Sequence, residues 1–230
     1  MTPRSNTDGA VYVEFLVVVW PLLLLFLGLA QLALACGAHL LVCHAAARAA
    51  RAAIVILPDD HEAALYAGEP LNQVGSGAPG LETYAAASDG GRLGAVRNAA
   101  RLTLAPVSPS PESFGSSSLA GAIASSGPTS IAAGLVGWTA YAAAVTFPDG
   151  NGGYRASFEP KGPVTVRVTF LFRCAVPVAS AILCRRWTDL DPAAAAEIST
   201  NGNALEGLAL ANGWRLLALR AERTYGNQGR

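Results

Sequence analysis

The sequence predicts an α+β protein in which a long N-terminal membrane-spanning helix continues into a small distal domain with an antiparallel sheet. Three observations predict it. Residues 15–35 are 21 consecutive positions without a charged side chain, and at 1.5 Å per residue such a run matches a bilayer hydrocarbon core of about 30 Å. Beyond it, Cys36, Leu40, Cys43, Ala47, Ala50, Ile54 and Leu57 recur at spacings of four and three, which draws one apolar stripe along a helix that goes on into water. Far downstream, Val164, Val166, Val168, Phe170, Phe172 and Cys174 alternate with a second set of residues. That period of two marks a strand with one face in the core and the other wet.

Composition suits this division. The chain has 230 residues, 52% of them hydrophobic and 14% charged, enough for one membrane helix over 10–57 and one modest core after it. Formal net charge is zero. With Arg4, Arg48 and Arg51 set aside, only Arg185 and Arg186 cluster, so nucleic acid is not an expected partner. The four cysteines fall into two kinds: Cys36 and Cys43 in the helix, Cys174 and Cys184 far downstream.

Residues 1–9 (MTPRSNTDG) are polar, contain Pro3 and end in Asp8 and Gly9. They read as an unstructured cytoplasmic leader, open to a peptidase on that face of the membrane. The span follows. Its fourteen Leu, Val and Phe residues favour insertion by about 6 kcal/mol, more than Gln31 and Pro21 cost. Pro21 is expected to kink the helix slightly. Glu14 is the anomaly, since a carboxylate drawn into the bilayer edge costs up to roughly 3 kcal/mol and such residues are usually functional. A cleaved secretory signal fits less well, because the apolar run exceeds the usual length of roughly 7 to 15 residues. A lipoprotein signal would acylate Cys36, yet Ala33 stands where a Leu is usual and the helix continues unbroken beyond it.

Gly9 lies five positions before Glu14, with Ala10, Val11, Tyr12 and Val13 between them and Phe15 after, where a polar leader meets an apolar helix. This junction resembles the processing site of type IV pilins. More narrowly, the short leader, Val13–Glu14–Phe15 and the Leu-rich run resemble the TadE-like proteins of tight-adherence pilus systems. The resemblance implies that a prepilin peptidase cuts between Gly9 and Ala10. It further implies that Glu14, as the fifth mature residue, pairs with the free amino terminus of another pilin-like subunit during assembly. Orientation is argued both ways. Arg48 and Arg51 after the span favour a cytoplasmic distal domain. Arg4 and the amino terminus in the leader, with a paired-cysteine domain that prefers an oxidising compartment, agree with the resemblance.

Pro58 ends the long helix, and His44, Arg48 and Arg51 lie on a flank of its stripe. Its outer half is expected to dock on the downstream domain and its inner half on other subunits. Residues 58–90 lose periodicity and fill with Gly, Pro, Ser and Asp, as a surface linker does. Leu93, Val96, Ala100 and Leu104 mark a short amphipathic helix with Arg92, Arg97 and Arg101 outward, closed by Pro106, Pro109 and Pro111. On this reading 58–130 is a variable linker carrying one short helix, and 131–230 is the distal domain.

Within that domain, residues 131–145 read as a helix to about Ala142 and then a strand ending at Phe147. Pro148 to Gly153 is the clearest turn in the chain, which makes a hairpin of residues 142–147 and 154–160. After the alternating strand, Cys174 and Cys184 bracket an apolar loop whose Pro177 bars a regular central strand. The order of valine-rich strand, Cys174, Val176–Pro177 and Cys184 resembles the distal domain of TadE-like proteins. So do Leu219, Arg220, Ala221 and Glu222, and then Asn227, Gln228 and Gly229. Taken alone, residues 204–222 have a helical composition, but a final strand from Trp214 to Thr224, with a short helix before it, is expected. In the oxidising compartment that the resemblance implies, the nine residues between the thiols leave slack for a Cys174–Cys184 disulfide. Two buried free thiols are the alternative.

Signatures of chemistry are lacking. His39 and His44 sit about 140° apart on a helix and His61 is remote, which is no metal-ligand spacing. Cys36 and Cys43 are separated by about 10.5 Å along one helix, too far to bridge. Asp189 and Asp191 beside Pro192 read as a turn or helix cap, and neither a nucleophile elbow nor a phosphate loop is present. No cofactor, metal or enzymatic activity is expected, and a buried carboxylate pair in the distal domain would argue otherwise. The expected function is a minor subunit or assembly factor of a tight-adherence pilus. Such a protein would be single-pass in a bacterial inner membrane, its distal domain periplasmic or within the fibre. The alternative is an unprocessed, membrane-anchored envelope domain that binds a ligand or partner protein.

Overall fold

The computed structural model describes residues 7–60, 66, 68–87, 90–109 and 138–226. Expectations about residues 1–6, His61, 110–137 and 227–229 lie outside them. Helix α1 runs from Thr7 to Ile56 with Pro21 inside it, and it is long and apolar enough to cross a membrane. Its first turn takes in residues 7–9, so the leader is helical from Thr7 onward.

The outer part of α1 forms one wall of the domain core on a face that keeps Ala50 and Leu57 of the predicted stripe but is turned away from its Cys36 and Leu40. Ala38, Val42, Ala45, Ala46, Ala49, Ala50, Ala53 and Leu57 are buried, whereas Leu40 is 65% exposed and Cys36 is exposed. Displacing the stripe from position 43 to position 42 turns it by about 100°. The reason is size. Alanines at 45, 46, 49, 50 and 53 allow the sheet and a neighbouring helix to approach the α1 backbone closely, a gain in dispersion that bulkier Leu40 would block.

Residues 58–90, which composition marks as a surface linker, supply core residues. Val74 and Tyr84 are fully buried, and Tyr84 lies on helix α2, Leu81–Ala86. Helix α3, Arg92–Leu104, packs along α1 through the predicted Leu93, Val96, Ala100 and Leu104, all buried. A 3-10 turn, Ala105–Val107, carries Pro106 and closes it. The outward placement of its arginines is corrected: Arg92, Arg97 and Arg101 are buried, at 1%, 3% and 8% exposure. Each satisfies backbone carbonyls near the C-terminal end of a helical segment, groups that have no partner within their own helix. Arg92 donates from Nη1 to Ile56 O and Leu57 O and from Nη2 to Asp59 O at the end of α1. Arg97 donates to Tyr84 O. Arg101 donates to Ala140 O, in the helical residues 138–142.

The sheet has four antiparallel strands in the order β1-β2-β4-β3. Strand β1 is Ala143–Thr146, following helical residues 138–142 as predicted. Strand β2 is Pro163–Arg173, β3 is Arg185–Arg186 and β4 is Arg215–Gly226. The turn after β1 forms, with Asp149 Oδ1 accepting from Asn151 N at 2.8 Å and Gly153 N at 2.7 Å. Gly150 and Gly152 take φ near 84° and 86° there, a region open to glycine. The predicted hairpin is nevertheless only partial. Residues returning from the turn make the isolated bridge Pro148↔Tyr154, and the full partner of β1 is β2, with Val145 opposite Val168.

Strand β2 keeps the predicted alternation, but its second face is covered. Thr169 and Leu171 are buried along with Val164, Val166, Val168 and Phe170. Helix α1 lies along β2 and β4. Three short helices complete the fold: α4, Ala179–Leu183, α5, Pro192–Ser199, and α6, Ala204–Asn212. Asp191 caps α5 by accepting from Ala193 N, as its place before Pro192 predicts.

Candidate functional site

Three places carry the residues on which a function could rest: the N-terminal junction, the loop closed by the distal cysteines and a buried carboxylate cluster. At the junction, the Gly9–Ala10 bond lies in the opening turn of α1, and Glu14 follows one turn later on an exposed face. None of the described residues forms an ion pair with Glu14. The same exposure holds for the apolar side chains around it: Tyr12, Val13, Phe15 and Leu16 are all more than half exposed. Burying them in lipid or against other helices is worth roughly 25 cal/mol per Å² of apolar area.

Cys174 and Cys184 form a disulfide with Cα atoms 6.5 Å apart. Cys36 and Cys43 are free thiols, on one helix as their spacing requires. The bridge closes the turn from the end of β2 into α4, and the loop it encloses reaches back to α1. Val176 N donates to Gln31 Oε1 at 3.1 Å, and Gln31, a polar residue inside the apolar run, is only 1% exposed. The polar exception in the apolar run is therefore part of the loop's seat. Val178 has φ 63°, a backbone setting strained for a β-branched residue, where the chain turns into α4.

The third place escapes sequence reasoning. Glu197 on α5 is completely buried and meets Arg167 Nη1 at 3.0 Å and Arg220 Nε at 3.5 Å. It also accepts from Tyr154 Oη at 2.9 Å and from Thr169 Oγ1. Arg167 pairs again with Glu222 at 2.6 Å and Arg220 with Asp191 at 2.7 Å. Burial opposes the charge on Arg167, but Glu197 and Glu222 more than offset it and hold its pKa above the ordinary value. Burial, then the hydrogen bond to Glu197, pushes the Tyr154 hydroxyl up. Both carboxylate oxygens of Glu197 are engaged, so the cluster ties α5 to β2, β4 and the segment after the turn. Glu222 and Asp191 are half-exposed, and among the described residues Glu197 is the buried carboxylate of the cluster. The signal in the sequence was a lone Glu in the alanine-rich helix Pro192–Ser199.

Tyr84 plays a similar binding role within the fold. Its hydroxyl donates to Arg155 O and accepts from Phe147 N at 3.1 Å, which joins the two sides of the turn. Burial is the main cause that raises its pKa, with the Phe147 hydrogen bond opposing. Among the described residues no group of His, Cys, Asp and Glu could hold a metal ion. No protein-family model, curated protein or solved structure matches the chain.

Proposed function

We propose that this chain is a bitopic, pilin-like structural protein, a TadE-like minor subunit or assembly factor of a tight-adherence pilus. The observation that carries the reading is the junction itself: Gly9, Ala10 and an exposed Glu14 at the start of one continuous helix of 50 residues. A helix of that length, roughly 75 Å, supports the reading because it joins a membrane-embedded part to a folded domain without a hinge. The disulfide supports a distal domain on the oxidising side of a bacterial inner membrane, in the periplasm or within the fibre. In this reading a prepilin peptidase removes residues 1–9, and Glu14 then meets the amino terminus of a neighbouring subunit.

One observation favours a second reading, an unprocessed anchor for an envelope domain that binds a partner. The Gly9–Ala10 bond is helical, and a peptidase needs extended backbone, so cleavage requires the first turn to unwind. Mass spectrometry of the protein from cells carrying the peptidase separates the two. An amino terminus at Ala10, lost in the Gly9→Val variant, is the expected result. An intact leader in both would leave the anchor.

A further inference from the structure

We propose that the disulfide-closed loop, residues 175–183, is a second membrane contact, with α4 lying against α1 in the outer part of the bilayer. The proposal rests on the reading of α1 as a membrane span. Val176 is hydrogen-bonded to Gln31. A groove of about 280 Å³ between the two helices is lined by Leu25, Gly28, Leu29 and Leu32 of α1 and by Ala179 and Ile182 of α4. Those α1 positions belong to the charge-free run 15–35. By helical rise the contact lies on the order of 10 Å inside the run's distal end, the depth at which interfacial helices bury their apolar faces.

The loop is built for lipid in composition, in hydrogen bonding and in its surroundings. Among the described residues outside α1, six large hydrophobics are exposed, and three of them, Val178, Ile182 and Leu183, are in this loop, Ile182 at 74%. Much of its backbone is paired within the protein, as hydrocarbon favours. Val176 N is held by Gln31, and Ala179, Ser180, Ala181 and Cys184 N donate to Pro177, Val176, Val178 and Ser180 carbonyls. Arg215 Nη1 caps Ala181 O at 3.1 Å. Around the loop, the same end of the sheet sets Arg173, Arg185 and Arg186 beside Arg215 and Leu216 in register, with Trp187 directly following. Arginine and tryptophan bordering an apolar surface suit the phosphate and headgroup layer. Acyl chains are thus the occupant to which the exposed face of α4 is fitted.

The test is photocrosslinking of the full-length protein in phosphatidylcholine–phosphatidylglycerol vesicles, with p-benzoylphenylalanine placed at position 25, 182 or 102. Position 25 reports the span and Leu102, exposed on α3, reports the aqueous part of the domain. Lipid adducts at 182 in yield matching position 25, with none at 102, are the expected result. Adducts at 25 without adducts at 182 would overturn this inference alone and leave the span intact. Crosslinks from 182 to a second protein chain would assign the face to self-association instead. No lipid adduct at 25 would remove the span and the inference with it.

Discussion

Arg92 shows how one side chain can decide where a long helix ends. Pro58 stops α1 from the far side, and Arg92 donates to the carbonyls of Ile56, Leu57 and Asp59 beyond it, of which Leu57 O also accepts from Asn72 N at 2.8 Å and Ile56 O from Asp59 N at 3.4 Å. Arg92→Met keeps most of the apolar stem and deletes the donors, and it should destabilise the domain by about 2–3 kcal/mol in urea unfolding. An unchanged midpoint would mean that water replaces the guanidinium. Tyr84 gives a pH signature. Its pKa is raised in the fold above the ordinary 10.0, so above that pH the unfolded chain releases a proton that the folded chain retains. Stability from this group is complete below the ordinary value and is lost as pH rises past it towards the folded value. Alkaline unfolding followed by tyrosinate absorbance should therefore show stability falling above that point, with a shallower fall in Tyr84→Phe. The part that remains belongs to Tyr154, whose pKa is also raised.

Helices and strands were legible to the extent that their signals were local. The alternation of β2, the turn at Pro148–Gly153 and the Asp191 cap each depend on residues adjacent in the chain, whereas the local composition of residues 204–222 is helical and does not show β4. The inward face of α1 is not local either, because apolar residues lie on more than one side of it and only the sheet's position selects among them. Ala49→Leu on the buried face should overpack the contact and cost about 1–3 kcal/mol. Leu40→Ala on the exposed face should change stability by no more than about 0.5 kcal/mol. Equal effects in thermal unfolding would return the helix to its predicted stripe. The disulfide acts on the element it closes. Its two Cys are 10 positions apart, and Cys184→Ala should lose roughly 2–3 kcal/mol through the freed unfolded chain, read as a lower urea midpoint than that of the unreduced wild-type protein.

The molecule as a whole is one rod with a domain folded around its outer end: α1 contacts α3, β2, β4 and α4, while residues 12–18 leave their side chains exposed. Such a division places the folded core at one end and leaves the apolar side chains of the other exposed. If Glu14 meets a neighbouring subunit as proposed, Glu14→Gln should leave membrane extraction and domain unfolding unchanged while abolishing support of fibre assembly. Normal piliation by that variant, counted by electron microscopy, would remove the assembly role.

Residue order along the chain was sufficient for the long apolar helix and the alternating strand, because length and period are properties of neighbouring residues, whereas the final strand and the Cys174–Cys184 bridge were expected with the help of the resemblance. Tertiary structure alone decided that Arg92, Arg97 and Arg101 point inward, that β1 pairs with β2 rather than with the returning segment, and that Glu197 is buried among Arg167, Arg220, Tyr154 and Thr169. The physical reason is common to all of them. Each of these groups is stable only beside partners distant in sequence, at helix ends and strand faces whose meeting is set by the packing of the whole core.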